Sequence, residues 1–198
     1  RGSELNAKRN RDLHQRLQQM IREAHQRGLK VGFWFSPSLV PADIWAEHPQ
    51  LHADSVYKGF PILCLSQPES WALMERVYGE ELRWFREADL FAVVAYDPGG
   101  CMCERCGPRQ AEVVGGMVKR FGGLAAQVAP GAEIAVSAWA SWAVEAQIQQ
   151  QVREPLVRAL AARGARDVVV MDSGLHPHST LPLARDTGLR GLVFEACT

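Results

Sequence analysis

The sequence has no net charge and no long apolar run. Its 22 Lys and Arg balance its 22 Asp and Glu, so no overall field draws the protein toward nucleic acid or a lipid surface. No apolar stretch approaches the roughly 18 residues that a membrane helix needs, and the first residues lack the apolar core and cleavage site of a signal peptide. We therefore expect a soluble, cytoplasmic protein with no nucleic-acid or membrane partner. A signal peptide removed ahead of Arg1 and assembly into a homo-oligomer both stay open.

Cysteine is scarce and unevenly placed. The chain has only five cysteines, an odd number, and three of them lie within six residues. This is unlike the disulfide framework of a small secreted domain and favours metal binding by reduced thiols. At 198 residues, the chain is long enough for one sizeable core and short for two domains.

No glycine-rich phosphate loop follows any predicted strand, which argues against a nucleotide-binding fold. Helical periodicity alternates with short apolar runs, and this pattern predicts an α/β protein with a parallel sheet covered by helices. The predicted strands are 30–35, 90–96, 133–138, 167–171 and 191–194. The predicted helices are 7–27, 69–87, 108–128, 142–163 and 180–187.

Two closures of this sheet compete, an open doubly wound sheet and a (β/α) barrel. Polar or reactive residues come directly after every predicted strand, as they do in barrel enzymes, and this favours a TIM-type barrel. Five strands are too few to close an eight-stranded barrel, so we expect residues 1–198 to form a single, partial barrel domain with a catalytic role. The connection 37–68 has no clear periodicity, and we expect it to cover a binding site.

Four cysteines are candidate ligands of one metal ion: Cys64, Cys101, Cys103 and Cys106. The last three have the spacing C-x-C-x-x-C, which lets one loop surround an ion, and zinc prefers four soft ligands in a tetrahedron. Such a closed site leaves no open position for water, so the zinc would be structural. A disulfide and inert thiols are the alternatives. Nothing indicates an organic cofactor.

Two carboxylates follow predicted strands and are the catalytic candidates. Asp97 comes after the run 90–96, and Glu195 comes after 191–194. A pair of carboxylates facing one cleft is what glycoside hydrolysis requires, since one protonates the leaving oxygen while the other attacks the sugar or activates water. The alternatives are an Asp97 that caps a turn and a Glu195 that pairs with an arginine.

A further polar group follows the fourth predicted strand. Asp172, His176 and His178 could ligate a catalytic metal, but a substrate-binding loop is the simpler interpretation. Indole rings near strand ends suit the C–H faces of sugars. The indoles of Trp34 and Trp139 are therefore expected to line a sugar site. Tyr96, Asp172 and His176 are expected to line the same site.

The order of these features resembles the clan of retaining (β/α)8 glycoside hydrolases that includes the family 42 β-galactosidases. The resemblance rests on the segment 28–34 (GLKVGFW), His48-Pro49, Cys64 shortly before Pro68, and the C-x-C-x-x-C motif after a strand and an acid. It implies that the segments 30–35, 90–96 and 191–194 are barrel strands three, four and seven. It also implies a structural zinc on the four cysteines, an acid/base after strand four and a nucleophile after strand seven.

One position departs from the clan, which has Asn-Glu where this chain has Tyr96-Asp97. The form Tyr-Asp-Pro-Gly-Gly-Cys looks more like less characterised barrel proteins, some of them similar to family 20 hexosaminidases. The prediction is a glycoside hydrolase that acts on a carbohydrate through Asp97 and Glu195. The alternatives are a non-catalytic carbohydrate-binding barrel and a metal-dependent hydrolase built on Asp172, His176 and His178.

Overall fold

The computed structural model describes residues 2–55, 59–94, 100–137, 168–173, 185, 188 and 190–194. Its strands are β1 (Gly32–Phe35), β2 (Leu90–Val93), β3 (Glu133–Ser137), β4 (Val168–Ser173) and β5 (Arg190–Phe194). Its α-helices are α1 (Gly2–Gln26), α2 (Ala42–Glu47), α3 (Pro68–Glu81) and α4 (Gln110–Val128). Short 3-10 helices cover Pro49–Leu51, Leu82–Phe85 and Gly107–Arg109.

The five strands form one parallel sheet in the order β1-β2-β3-β4-β5. This confirms the predicted α/β class with a parallel sheet. A doubly wound sheet reverses its strand order at a switch point, and no reversal occurs among these five strands. Because all five strands run the same way, their carboxyl ends share one edge of the sheet.

Two predicted strand ends and one predicted connection were wrong in detail. β2 ends at Val93, although the peptide N–H of Val94 still donates to Phe35 O at 2.7 Å. β4 runs on to Ser173, so Asp172 lies within the strand and not beyond it. The connection 37–68 is not aperiodic, because it contains α2 and the 3-10 turn Pro49–Leu51.

Alternation along the first strand divides the sheet into two faces. Phe33 and Phe35 pack into the main core with residues of α3 and α4, whereas Trp34 between them is 44% exposed. Side chains alternate along a strand, so Trp34 belongs to the opposite face. That face also carries the fully buried pair Ala92 and Ala135.

An aromatic cluster fills the space between the sheet and the helices. The Phe35 ring lies 5.9 Å from Phe91 and 5.3 Å from Phe121, measured between ring centroids. Tyr78 of α3 packs edge-on against Phe35, and its hydroxyl lies 2.8 Å from Ser36 O and 2.7 Å from Leu39 O. Tyr78 thereby fixes the start of the connection that follows β1.

Helix α1 is amphipathic but only partly covered. Ile21 is 1% exposed, while Leu13 and Met20 are 53% and 62% exposed. Within the described ranges, no helix combines the length and the apolar character needed to cross a membrane.

Asp89 joins three elements at the amino end of the sheet. Its Oδ2 accepts the peptide N–H of Val31 at 2.7 Å and lies 2.9 Å from His25 Nε2. Its own peptide N–H donates to Val31 O, and its carbonyl accepts from Glu133. Partial burial alone would raise the pKa of Asp89, but the bonds from Val31 and His25 and the charge of Lys30 outweigh it and lower the pKa.

We expect Asp89→Asn to lower the free energy of unfolding by about 1 kcal/mol at neutral pH, since a charge-assisted bond is lost at a partly exposed site. A carboxyl with a lowered folded-state pKa stabilises the fold above its unfolded-state value and loses that effect as the pH falls. The difference between Asp89→Asn and the native chain should therefore shrink in acid. Urea unfolding at neutral pH and below about pH 3 measures it, with exposed Asp12→Asn as the control. A difference that is constant with pH would contradict the role of the charge.

Candidate metal centre

Four thiols from two separate connections meet near the carboxyl edge of the sheet. Cys64 comes from the connection between β1 and α3, and Cys101, Cys103 and Cys106 come from that between β2 and α4. All four Sγ atoms lie within 4.8 Å of one another. Cys64 Sγ is 3.8 Å from Cys103 Sγ and 3.9 Å from Cys106 Sγ. The structure thus brings together the four cysteines that the sequence predicts as ligands.

Backbone pairing within the first connection positions Cys64. Isolated antiparallel bridges join Leu39 to Ile62 and His52 to Leu63. The peptide N–H of Cys64 then donates to Leu51 O at 2.8 Å. These bonds fold the connection into a ribbon that ends at the thiol, which is only 3% exposed.

A tight turn brings the other three thiols together. Gly100 has φ of +65°, a conformation that side chains rarely adopt, and it leads directly into Cys101. Within C-x-x-C, the peptide N–H groups of Cys106 and Gly107 donate to Cys103 O at 3.0 and 2.8 Å. A Cβ at Gly107 would lie 3.3 Å from Met102 O, so the turn favours glycine at this position.

The spacing of the sulfur atoms fits a tetrahedral metal site. Four sulfurs at about 2.3 Å from one zinc ion are about 3.8 Å apart, which matches the separations of Cys64 Sγ from Cys103 Sγ and Cys106 Sγ. A disulfide would require about 2.05 Å, and all four cysteines are free thiols. The cluster is therefore able to hold a metal ion, and a disulfide among these cysteines is not present.

The thiols differ sharply in acidity. Burial raises the pKa of Cys101 and also that of Cys106, the latter to about 11 with the help of the nearby Cys64 and Cys103 sulfurs. Burial acts the same way on Cys103, but the peptide N–H groups of Cys106 and Arg105 and the neighbouring thiols outweigh it and lower its pKa to about 6. Among these three thiols, the environment favours the thiolate form at Cys103 and disfavours it at Cys101 and Cys106. A bound cation is what makes a second and third thiolate stable in so small a space.

Two residues near the thiols were missed by sequence reasoning. The peptide N–H of Asp54 bonds to the Cys101 sulfur, and Asp54 O accepts the N–H of Met102 at 2.6 Å. The hydroxyl of Ser66 lies 3.1 Å from Cys64 Sγ and also bonds to Cys106. The sequence offers one signal for Ser66, which is a hydroxyl two residues after a candidate metal ligand. No comparable signal exists for Asp54, because it contributes through its backbone.

The structure places only part of the predicted sugar site. Trp34 is on the face of the sheet opposite the helices, level with Ala92 of β2. The indole of Trp45 is used within its own connection. Its N–H donates to Ile62 O at 3.1 Å, and its ring stacks on His52 with 3.4 Å between centroids.

The remaining predicted site residues lie at or beyond the limits of the described chain. Asp172 pairs in register with Val193 of β5. The other predicted residues lie outside the described residues: Tyr96, Asp97, Trp139, His176, His178 and Glu195.

No protein-family model matches the chain, and no curated protein sequence matches it. Among solved structures, the chain is distantly similar to a β-galactosidase from Bacillus circulans sp. alkalophilus. The identity is 12% and the TM-score is 0.41, over 93% of this chain and 32% of the β-galactosidase chain. The chain thus spans about a third of the length of that enzyme.

A surface groove of about 680 Å³ opens beside the thiols, on the helix side of the sheet. Its apolar residues are Leu65, Trp71 and Val113, and its polar residues are Ser66, Glu104, Arg105, Arg109 and Glu112. Arg109 is paired with Glu112 at 2.8 Å through Nε. The groove is therefore lined by residues of the cysteine turn and of helices α3 and α4.

Proposed function

We propose that the four cysteines bind one structural zinc ion. The separations of 3.8 and 3.9 Å between Cys64 and two of the other sulfurs carry this proposal. All four positions of a tetrahedron are filled by sulfur, so none is left for a catalytic water. The ion would tie the connection after β1 to the connection after β2. Four reduced thiols also suit the cytoplasm.

We further propose that the chain is part of a (β/α) barrel that acts on a glycosidic bond. The sequential, fully parallel strand order supports a barrel, since all strand ends then face one edge where barrel enzymes carry their catalytic groups. In the sequence, Asp97 follows β2 and Glu195 follows β5. Trp34 offers an exposed indole on the sheet face away from the helices.

Curvature of the sheet is a requirement of this proposal. β2 and β5 are three strand spacings apart, which is about 14 Å along a flat sheet. The two carboxyl groups of a glycosidase are about 5 to 9.5 Å apart. A sheet that curves toward closure, with side chains reaching inward, reduces the separation to this range.

In the proposed reaction, Asp97 is the acid/base or the stabilising carboxylate, and Glu195 is the nucleophile or the base. The acid protonates the glycosidic oxygen as its bond to the anomeric carbon breaks. The second carboxylate either attacks that carbon or takes a proton from the attacking water. Trp34, Tyr96, Trp139, Asp172 and His176 would bind the sugar.

A second candidate function is a barrel domain that binds carbohydrate without cleaving it. The pair Tyr96-Asp97 in place of Asn-Glu favours this candidate, because aspartate is one methylene shorter than the glutamate of the clan. A third candidate is a hydrolase with a catalytic metal on Asp172, His176 and His178.

Assay of the purified chain on a panel of aryl glycosides, with and without a zinc chelator, separates the three. A glycosidase with a structural zinc should keep its turnover after chelation when it is assayed well below the melting temperature. Chelation should also lower its melting temperature. Turnover that is lost at once on chelation and restored by added metal supports the metal-dependent hydrolase. Sugar binding by calorimetry without any turnover supports the non-catalytic barrel and contradicts the glycosidase.

A further inference from the structure

Hydrogen-bond donors are divided unevenly among the four sulfurs. Cys101 receives peptide N–H groups from Asp54 and Cys103, and Cys103 receives them from Arg105 and Cys106. Cys64 and Cys106 instead share the hydroxyl of Ser66. Backbone donors thus support Cys101 and Cys103, and the Ser66 hydroxyl lies beside Cys64 and Cys106.

Ser66 is held in place by the start of α3. It lies two residues after Cys64 and two before Pro68, where the helix begins. The peptide N–H of Gln67 donates to Cys64 O at 3.2 Å, which closes a turn around Ser66. Because this turn carries both the ligand and the hydroxyl, the distance of 3.1 Å between Cys64 Sγ and Ser66 Oγ is built into the fold.

Ser66 also separates the thiols from the groove. Its side chain lines the groove, whereas Cys64 and Cys106 are 3% and 0% exposed. A small reagent in the groove would therefore meet the Ser66 hydroxyl before it reaches either sulfur. Glu104 and Arg105, which also line the groove, belong to the turn between Cys103 and Cys106.

We propose that Ser66 is a positioning residue of the metal centre. Its single hydroxyl proton is shared between the thiolate of Cys64, 3.1 Å away, and that of Cys106. This hydrogen bond lowers the negative charge on the sulfur that receives it and slows both the loss of the metal and attack by the sulfur on electrophiles. The proposal rests on the zinc site proposed above. Partners that orient metal ligands typically change metal affinity by about 10- to 100-fold when they are removed.

The test compares Ser66→Ala with the native chain, with Ser66→Thr as the conservative variant. Ser70→Ala is the matched control, because Ser70 is fully buried and its hydroxyl has no hydrogen-bond partner in the described part of the chain. Transfer of zinc from each loaded protein to a chromophoric chelator gives the rate of metal loss. We expect this rate to rise about tenfold in Ser66→Ala and to stay near native in Ser66→Thr and Ser70→Ala.

Alkylation by iodoacetamide gives a second readout, mapped to individual cysteines by mass spectrometry. In this reaction the sulfur displaces iodide from carbon, so the rate reports the nucleophilicity and access of each thiol. In the zinc-loaded protein, where the sulfurs are held as thiolates, we expect Cys64 and Cys106 to react faster in Ser66→Ala, with Cys101 unchanged. Without metal we expect these two cysteines to react more slowly, because loss of the hydroxyl leaves less thiolate, the reactive form. Native rates of zinc loss and alkylation in Ser66→Ala would overturn the proposal. If the native chain takes up no zinc, the zinc site fails, and the metal-free alkylation rates still decide whether Ser66 bonds to the two thiols.

Discussion

Replacement of Cys106 by serine is expected to abolish stoichiometric zinc binding and to lower stability by at least about 4 kcal/mol, the range of mutations that remove a structural metal. For a domain of this size, that loss lowers the melting temperature by about 8 to 16 °C. Cys106 is fully buried and 3.9 Å from Cys64 Sγ, so the hydroxyl of serine would leave a hard, poorly placed ligand beside three thiolates. The connections after β1 and β2 would then lose the metal as a link and keep bonds such as that from Met102 N–H to Asp54 O.

Metal content by elemental analysis and thermal unfolding measure this effect. Cys197→Ser is the matched control, because it makes the same substitution at the one cysteine that the sequence does not group with the four candidate ligands. If Cys106→Ser does not fold, titration of the native chain with a strong chelator tests the same point. A variant that retains one zinc per chain and a native melting temperature would contradict the assignment of Cys106 as a ligand.

The two proposed catalytic carboxylates are expected to have the largest effects on turnover. Asp97→Asn and Glu195→Gln should each lower kcat/KM by about 10²- to 10⁴-fold, the usual contribution of a group that transfers a proton in the transition state. The two variants should differ in their response to the leaving group. If Asp97 is the acid, Asp97→Asn should be impaired most on glycosides with poor leaving groups. Good leaving groups depart without protonation, so turnover of their glycosides depends less on the acid. The Glu195→Gln defect should be similar for both kinds of substrate.

Asp12→Asn and Glu47→Gln are suitable controls, because both side chains are exposed. Each of these substitutions removes a carboxylate in the same way as the catalytic variants do. Circular dichroism of each variant establishes that the fold is intact. Full turnover in Asp97→Asn or in Glu195→Gln would rule out the residue concerned as a catalytic group. The anomeric configuration of the first product, followed by NMR, distinguishes retention from inversion and so indicates whether the carboxyl groups are close or far apart.

Prediction from sequence succeeded best where the pattern was local. The apolar runs beginning at Lys30, Leu90 and Glu133 form strands, and Gly28 ends the turn after α1 with φ of +74°. These elements depend on periodicity and on residue type, which are properties of a few neighbouring positions. The connection 37–68 was misjudged because α2 is short and contains no buried residue, so it has no apolar periodicity to detect.

The spacing of cysteines in the sequence predicted part of the cysteine cluster. C-x-C-x-x-C brings Cys101, Cys103 and Cys106 together through one turn, so these three could be grouped from the sequence alone. Cys64 is 37 residues before Cys101, and its place in the cluster depends on the bridges at Ile62 and Leu63. The sequence places the Ser66 hydroxyl two residues after Cys64, but its contact with the Cys64 sulfur arises only in the folded chain.

The sequence by itself determined the alternation of helices and parallel strands and the set of thiols that can share a metal ion. Both follow from residue type and short-range spacing. The tertiary structure decided that the described strands run in chain order without a reversal, that the four sulfurs lie within 4.8 Å of one another, and that the Ser66 hydroxyl lies 3.1 Å from Cys64 Sγ. These features depend on which segments pack together, because strand order, distances between sulfurs and hydrogen bonds across connections arise from contacts between residues far apart in the chain.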